Sequence, residues 1–214
     1  GRAAAANTSQ AGVVMSELAH RTIVNIRGNA ADPAFAAAVK TATGVDLPAK
    51  ANTVANNGDR QILWLGPNEW WVTAKDGEAA GLVEALRSAF AGQHATACDV
   101  SESRAIITLK GPKAREVLMR GISLDLHPKA FGTGQCAQTG LSRCNVLLHQ
   151  VGEGPRFEIY VLKSFSDYLW RWLEQIAAPV DGVRGDAESR FDGDERFHRG
   201  ARSSRGGEPR GGQG

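Results

Sequence analysis

The chain has 214 residues, 42% of them apolar and 22% charged, with a formal net charge of +2. That size supports one substantial core, the near-neutral balance gives no reason to expect a nucleic-acid partner, and no apolar run reaches the roughly 18 residues that a membrane span needs. Three cysteines, Cys98, Cys136 and Cys144, form an odd, sparse set that fits free thiols in a reducing cytoplasm better than a disulfide framework.

Residues 1–19 lack the apolar middle of a secretory signal and read as a flexible N-terminal segment. From Arg21, RTIVNIRG alternates as a strand and stops at Gly28. Asp32 as N-cap and Pro33 at the first helical position open a helix with Phe35, Ala38 and Val39 on one face and Gly44 at its exit. VDLP follows at 45–48, then a loose polar loop. QILWLGPNEWWVTA reads as a hairpin turning at Gly66-Pro67-Asn68. EAAGLVEALRSAF is a helix whose Leu82, Leu86 and Phe90 share a face.

From Ala95 the pattern begins again. TACDVSESRAIITLKG holds two strand-like runs separated by Ser-Glu-Ser, the second ending at Gly111. Pro112 opens the helix PKAREVLMRG, which buries Val117 and Leu118 and ends at Gly121. LDLHP follows at 124–128. A second hairpin joins CNVLLHQV to RFEIYVL around Gly152-Glu153-Gly154-Pro155, and the helix SFSDYLWRWLEQIAA carries Phe165, Leu169, Trp172, Leu173 and Ile176. Residues 183–214, rich in Gly, Arg and acid, are too poor in large apolar side chains to order themselves and are expected to be disordered. Their two Arg-Gly-Gly triplets read as solvated tail rather than as an RNA-binding module, because neighbouring acids nearly cancel the arginines.

The order strand, basic residue plus Gly, short helix, Asp-Leu-(His)-Pro, hairpin, long helix thus occurs twice. The predicted fold is α+β: a duplicated strand–helix–hairpin–helix unit over 20–182, with halves of about 20–93 and 94–182 related by a pseudo-twofold axis. Because VDLP lacks the histidine of LDLHP yet keeps its skeleton, Asp125 is expected to cap backbone N–H groups and His127 to lie packed or at the surface.

No nucleotide-binding glycine loop, nucleophile elbow or paired metal-ligand spacing occurs; Cys136, Cys144 and His149 lack the local spacing of a zinc site. Trp70 and Trp71, adjacent on a strand, must point to opposite faces, and Trp170 and Trp172 lie about 200° apart on a helix. Some of these rings must therefore be covered by the chain's own loops or by another chain. Trp70, Trp71, His127, Trp170 and Trp172 are the interface candidates.

DVSESRAIITLKGPKAREVL, GISLDLHPKAFGTGQCAQT and FEIYVLKSFSDYLWRWL, with GVDLP and LGPNEWWVTA upstream, resemble the gamma subunit of heterotetrameric bacterial sarcosine oxidase over roughly residues 20–178. LDLHP with the following Lys129-Ala130-Phe131 and the helix of Phe165, Tyr168, Leu169 and Trp170 are the most specific parts. The resemblance implies a fold similar to the folate-binding domain of the glycine-cleavage aminomethyltransferase. It implies a complex with alpha, beta and delta subunits that oxidises sarcosine to glycine with hydrogen peroxide. The one-carbon unit then leaves as 5,10-methylenetetrahydrofolate or formaldehyde. FAD, FMN, NAD, zinc and tetrahydrofolate would be held by the complex, with no cofactor and no catalytic residue on this chain, which would pack as a structural subunit against the flavin-bearing one. Asp99, in Asp-Val-Ser at 99–101, is the position similar to that relative's catalytic aspartate. However, GLSRCNV puts Arg143 and Cys144 where the relative carries carboxylates, so a structural role is expected for Asp99. The alternative is a stand-alone folate-binding or one-carbon-transfer protein relying on Asp99 and Asp125.

Overall fold

Alternating apolar side chains decide the architecture, since each strand offers one face to helices and the other to a second sheet. The computed structural model describes residues 11–185. Its first half runs β1 (Val13–Glu17), β2 (Thr22–Arg27), α1 (Pro33–Thr43), β3 (Val54–Asn57), β4 (Arg60–Gly66), β5 (Glu69–Ala74) and α2 (Ala79–Ala89). The second runs β6 (Thr96–Asp99), β7 (Arg104–Lys110), α3 (Ala114–Met119), β8 (Cys136–Leu141), β9 (Cys144–Gly152), β10 (Arg156–Leu162), α4 (Ser166–Ala177) and β11 (Gly182–Arg184).

The strands form two sheets, ordered β3-β4-β5-β2-β6 and β8-β9-β10-β7-β1, the second extended beyond β1 by β11. Position for position the orders agree, with one exchange. The first strand of each half crosses to the other half's sheet, so β1 pairs with β7 and β6 with β2. The fold is therefore a duplicated α+β unit, as the sequence repeat implies. Register extends the equivalence to single residues. Arg27 pairs with Glu69, and Lys110 with Arg156. Counting along both ladders from there matches Trp70 to Phe157, Trp71 to Glu158 and Thr73 to Tyr160; the residue preceding Thr22, Arg21, corresponds to Arg104 before Ala105.

Several boundaries differ from the sequence reading. The sequence assigns Val13–Glu17 to the flexible segment 1–19, yet Val13 and Met15 are core residues, because the second sheet's edge needs a strand that only the exchange supplies. β11 begins at Gly182 and includes Val183 and Arg184 of the expected tail, whose residues from 186 onward lie outside the described residues. β3 lies where the sequence predicts a loose polar loop. α3 starts at Ala114, with Pro112 taken up by the preceding turn.

Local chemistry explains the remaining ends. Asp32 Oδ1 accepts the Ala34 N–H at 2.9 Å, and Gly44 leaves α1 at φ 75°. The repeated basic-residue-plus-Gly landmark serves different needs in the two halves. At Gly28 a Cβ would lie 2.3 Å from the Phe35 ring, so glycine lets α1 seat that ring on β2. Gly111 has φ +127°, and its Cβ would meet Gly12 O at 2.7 Å, so here the backbone leading into β1 requires it.

Three apolar clusters fill the layers. Phe35, Trp70, Val72 and Leu86 pack between the five-stranded sheet and its helices. Val117, Phe157, Leu169 and Leu173 do so on the six-stranded sheet. Ile23, Leu63, Trp71, Ile106, Leu147 and Tyr160 pack between the two sheets. The sheets are laced where β3 meets β8: Cys136 N–H donates to Asn52 O at 3.0 Å and Val54 N–H to Gly134 O at 2.9 Å. Among the described residues no helix is long and apolar enough to cross a membrane.

Candidate functional site

The polar stretch from Gly121 to Cys144 is held by its own chemistry. Asp125 Oδ1 accepts the His127 N–H at 2.8 Å, and His127 Nδ1 accepts the Lys129 N–H at 3.2 Å. Leu126 and Phe131 are buried in the six-stranded sheet's core. Arg115 of α3 donates to the Leu126 carbonyl, to Phe131 O at 3.1 Å and to Gln150 Oε1 at 2.8 Å, pinning the loop against the sheet. His127 itself is exposed. The first-half counterpart of Asp125, Asp46, instead meets Lys40 Nζ at 2.7 Å on the surface.

Asp99 ends β6 and closes a local turn, accepting the Ser101 N–H at 2.9 Å and the Ser101 hydroxyl at 2.5 Å. Ser101 Oγ in turn accepts the Ile23 N–H at 2.9 Å, so this pair ties the exchanged strand to β2. At the turn joining β8 to β9, Ser142 takes φ 54°, Arg143 points to solvent and Cys144 enters the core. Asp99 thus spends its Oδ1 on this turn, and Arg143 and Cys144 leave the other two positions without a carboxylate.

The cysteines and His149 do not converge on a metal. Cys136 faces the space between the sheets and Cys144 the opposite side, a consequence of strand parity. Cys136 Sγ lies 3.2 Å from Trp64 O, and burial pushes its thiol up to about 12. Among the described residues no group of three His, Cys, Asp or Glu side chains is placed to hold an ion.

The tryptophans separate into two sets. Trp70 is fully buried, packs 5.6 Å from the Phe35 ring and donates its Nε1–H to Pro48 O at 3.1 Å. Trp71 points the other way, into the inter-sheet layer, 5.9 Å from Tyr160 and beneath the Arg104 guanidinium at 5.0 Å. Trp70 and Trp71, expected as interface candidates, are thus both buried within this chain, whose own second sheet covers the ring that parity turns away from the helices. Trp170 is half-buried against the core under Arg184 at 5.0 Å. Trp172 is half-buried too; a Cβ on Gly121 would come within 2.4 Å of its ring.

Two features escaped the sequence reading. Glu158 is fully buried between the sheets, accepting the Tyr160 hydroxyl at 2.8 Å, with His149 Nδ1 at 3.7 Å from the same oxygen. The available signal was a charged residue inside the alternating run RFEIYVL. The second is Arg104, which lines two adjoining clefts of about 310 and 440 Å³. His20 and Lys163 stand in the first; Gln138, Asn145 and Leu162 stand in the second. Burial lowers the Arg104 pKa, and its buried Nε has no hydrogen-bond partner among the described residues. A third, shallower cleft of about 850 Å³ lies between the β8–β9 turn and α4, lined by Arg143, Asp167, Tyr168, Arg171 and Trp172. Cations beside aromatic rings suit these surfaces to carboxylates and apolar side chains.

The exchanged duplication defines the class, an α+β fold of the aminomethyltransferase type. It matches the glycine cleavage system aminomethyltransferase T from Bartonella henselae with a TM-score of 0.63 at 15% identity, over 82% of this chain and 48% of that one. More particularly, the chain belongs to the sarcosine oxidase gamma subunit family, which matches residues 27–179. It is 37% identical to the sarcosine oxidase subunit gamma of Arthrobacter sp., over 79% of this chain and 83% of that protein. It is 33% identical to the one of Corynebacterium sp. (strain U-96), over 75% and 77%. A chain of the heterotetrameric sarcosine oxidase from Corynebacterium sp. U-96, in complex with pyrrole 2-carboxylate, matches with a TM-score of 0.74 at 30% identity, over 81% of this chain and 88% of that one.

Proposed function

We propose that this chain works as the gamma subunit of a heterotetrameric sarcosine oxidase, beside alpha, beta and delta subunits, and contributes structure rather than catalytic groups. The observation that carries the reading is the 37% identity to a known gamma subunit across four-fifths of both chains. The disposition of its polar groups supports the non-catalytic part. Asp99 closes a turn, Asp125 caps one, and Glu158 and Tyr160 hold each other in a buried layer.

In the reaction of such a complex the N-methyl group of sarcosine loses two electrons, oxygen is reduced to hydrogen peroxide and hydrolysis yields glycine. The one-carbon unit leaves as formaldehyde or, with tetrahydrofolate, as 5,10-methylenetetrahydrofolate. In this reading FAD, FMN, NAD and zinc belong to the other subunits, the assembly is cytoplasmic, and this chain packs against the flavin-bearing subunit to hold its site in shape.

Co-expression with and without this chain tests the proposal. Sarcosine turnover and a stable complex are expected only when all four subunits are present. A complex lacking this chain that assembles and turns over sarcosine normally would overturn it. So would a purified chain that by itself binds tetrahydrofolate at micromolar concentration in calorimetry and loses that binding on Asp99→Ala.

A further inference from the structure

We infer that the face formed by the start of α4 and the β8–β9 turn docks another subunit of the heterotetramer, through a segment of that subunit carrying carboxylates beside apolar side chains. The inference rests on the gamma-subunit reading and says where its partner sits.

The described residues expose four large apolar side chains, and three of them, Leu162, Phe165 and Tyr168, cluster in sequence from the end of β10 through the following turn into α4. Arginines stand beside these residues. Leu162 stands directly opposite Arg104 in the β10–β7 ladder. Tyr168 OH lies 2.9 Å from Ser142 Oγ in the turn that carries Arg143, and Arg171 lines the cleft between them.

Arg104, Arg143 and Arg171 have no ion pair or hydrogen bond among the described residues, whereas every other described arginine has a carboxylate, carbonyl, amide or other partner. The acids nearby do not balance them. Asp167 is the one carboxylate in the cleft with Arg143 and Arg171, and Glu102 is engaged by His20 and Lys163. Arg104 is half-buried with its Nε unsatisfied, a cost that an incoming carboxylate removes, while Arg143 and Arg171 are exposed and offer it unneutralised charge. Exposed aromatics set among arginines are the composition of interface hot spots.

The test uses the full chain co-expressed with the alpha, beta and delta subunits. Arg171→Glu and Phe165→Asp are each expected to weaken retention of this chain in the complex by about tenfold or more. Glu84→Lys, on the corresponding helix of the first half, should leave it unchanged. Both docking positions are exposed, so the variants should melt like the parent; variants that assemble like the parent overturn the inference.

A second measurement needs no variant. Phenylglyoxal should modify Arg143 and Arg171 about tenfold more slowly in the complex than in the free chain, and equal rates in both overturn the inference. Failure of the parent chain to assemble at all would instead bring down the gamma-subunit reading, and this surface with it.

Discussion

α2 and α4 each follow the closing strand of their half's hairpin, yet only their inner faces agree. Each buries two leucines four residues apart, Leu82 and Leu86 in one and Leu169 and Leu173 in the other. Outward, α2 shows Glu84, Ala85, Arg87 and Ser88, whereas α4 and the turn before it show Phe165, Tyr168 and Arg171. The residue after β5, Lys75, is matched in register to Leu162. Lys75 is tied to Asp59 at 2.5 Å, while Leu162 stands exposed. The inner faces are alike because each must cover the same kind of sheet. The outer faces are free of that demand, so their divergence reports something beyond the fold.

The comparison is most sharply tested where the halves should behave alike. Trp70 and Phe157 are register-matched and fully buried, each against its own helices. Trp70→Ala and Phe157→Ala should each cost about 3–5 kcal/mol in urea unfolding. A near-neutral result at either position would mean that its half does not share in one cooperative core.

Thiol chemistry gives the next effect. With its pKa held up to about 12, Cys136 is expected to react with a disulfide reagent at least about 100-fold more slowly than exposed Cys98 until the chain unfolds. The linkage has a definite sign. Burial raises the thiol from its ordinary 9.0, so the unfolded chain releases the proton first. The stabilisation from Cys136 is complete below pH 9 and is lost as pH climbs toward 12, and urea midpoints measured across that window check it.

Smaller differences separate the halves inside the inter-sheet layer. Tyr160→Phe removes the donor to buried Glu158 and should cost about 1–3 kcal/mol. Its register twin Thr73 is buried with a hydroxyl that lacks a hydrogen-bond partner among the described residues. Thr73→Val, which keeps the shape and discards the unsatisfied oxygen, is therefore expected to be neutral or stabilising by up to about 1 kcal/mol. Equal losses at both positions would contradict this division of labour.

How much of this was legible beforehand follows from the range of each interaction. The hairpins, the cap at Asp32 and the exit at Gly44 depend on neighbours in sequence and could be read directly. The exchange of β1 and β6 could not, because alternation marks a strand without naming its partner. Parity showed that Trp70 and Trp71 part company, but not that the other sheet waits for the second ring. The sequence places Phe165 in the closing helix with Leu169, Trp172, Leu173 and Ile176. Residues 163–165 instead form a tighter 3-10 turn, which rotates Phe165 outward. Arg104 and Glu158 carried no motif at all, and their meaning depends on what packs around them.

The last test returns to the repeated Asp-Leu-(His)-Pro exit, where the two halves share letters but not interactions. Asp125 accepts a backbone N–H at 2.8 Å, a local bond that fixes the loop carrying buried Leu126. Asp46 meets a lysine across open surface, its side chain 77% exposed. Asp125→Ala should therefore cost about 1 kcal/mol whatever the ionic strength, since it removes a capping bond. Asp46→Ala should cost less than about 0.5 kcal/mol in dilute buffer and nothing measurable in molar salt, which screens such a pair. Thermal melts of both variants at two salt concentrations decide it. A salt-sensitive Asp125 would mean that the loop is held by charge rather than by its turn.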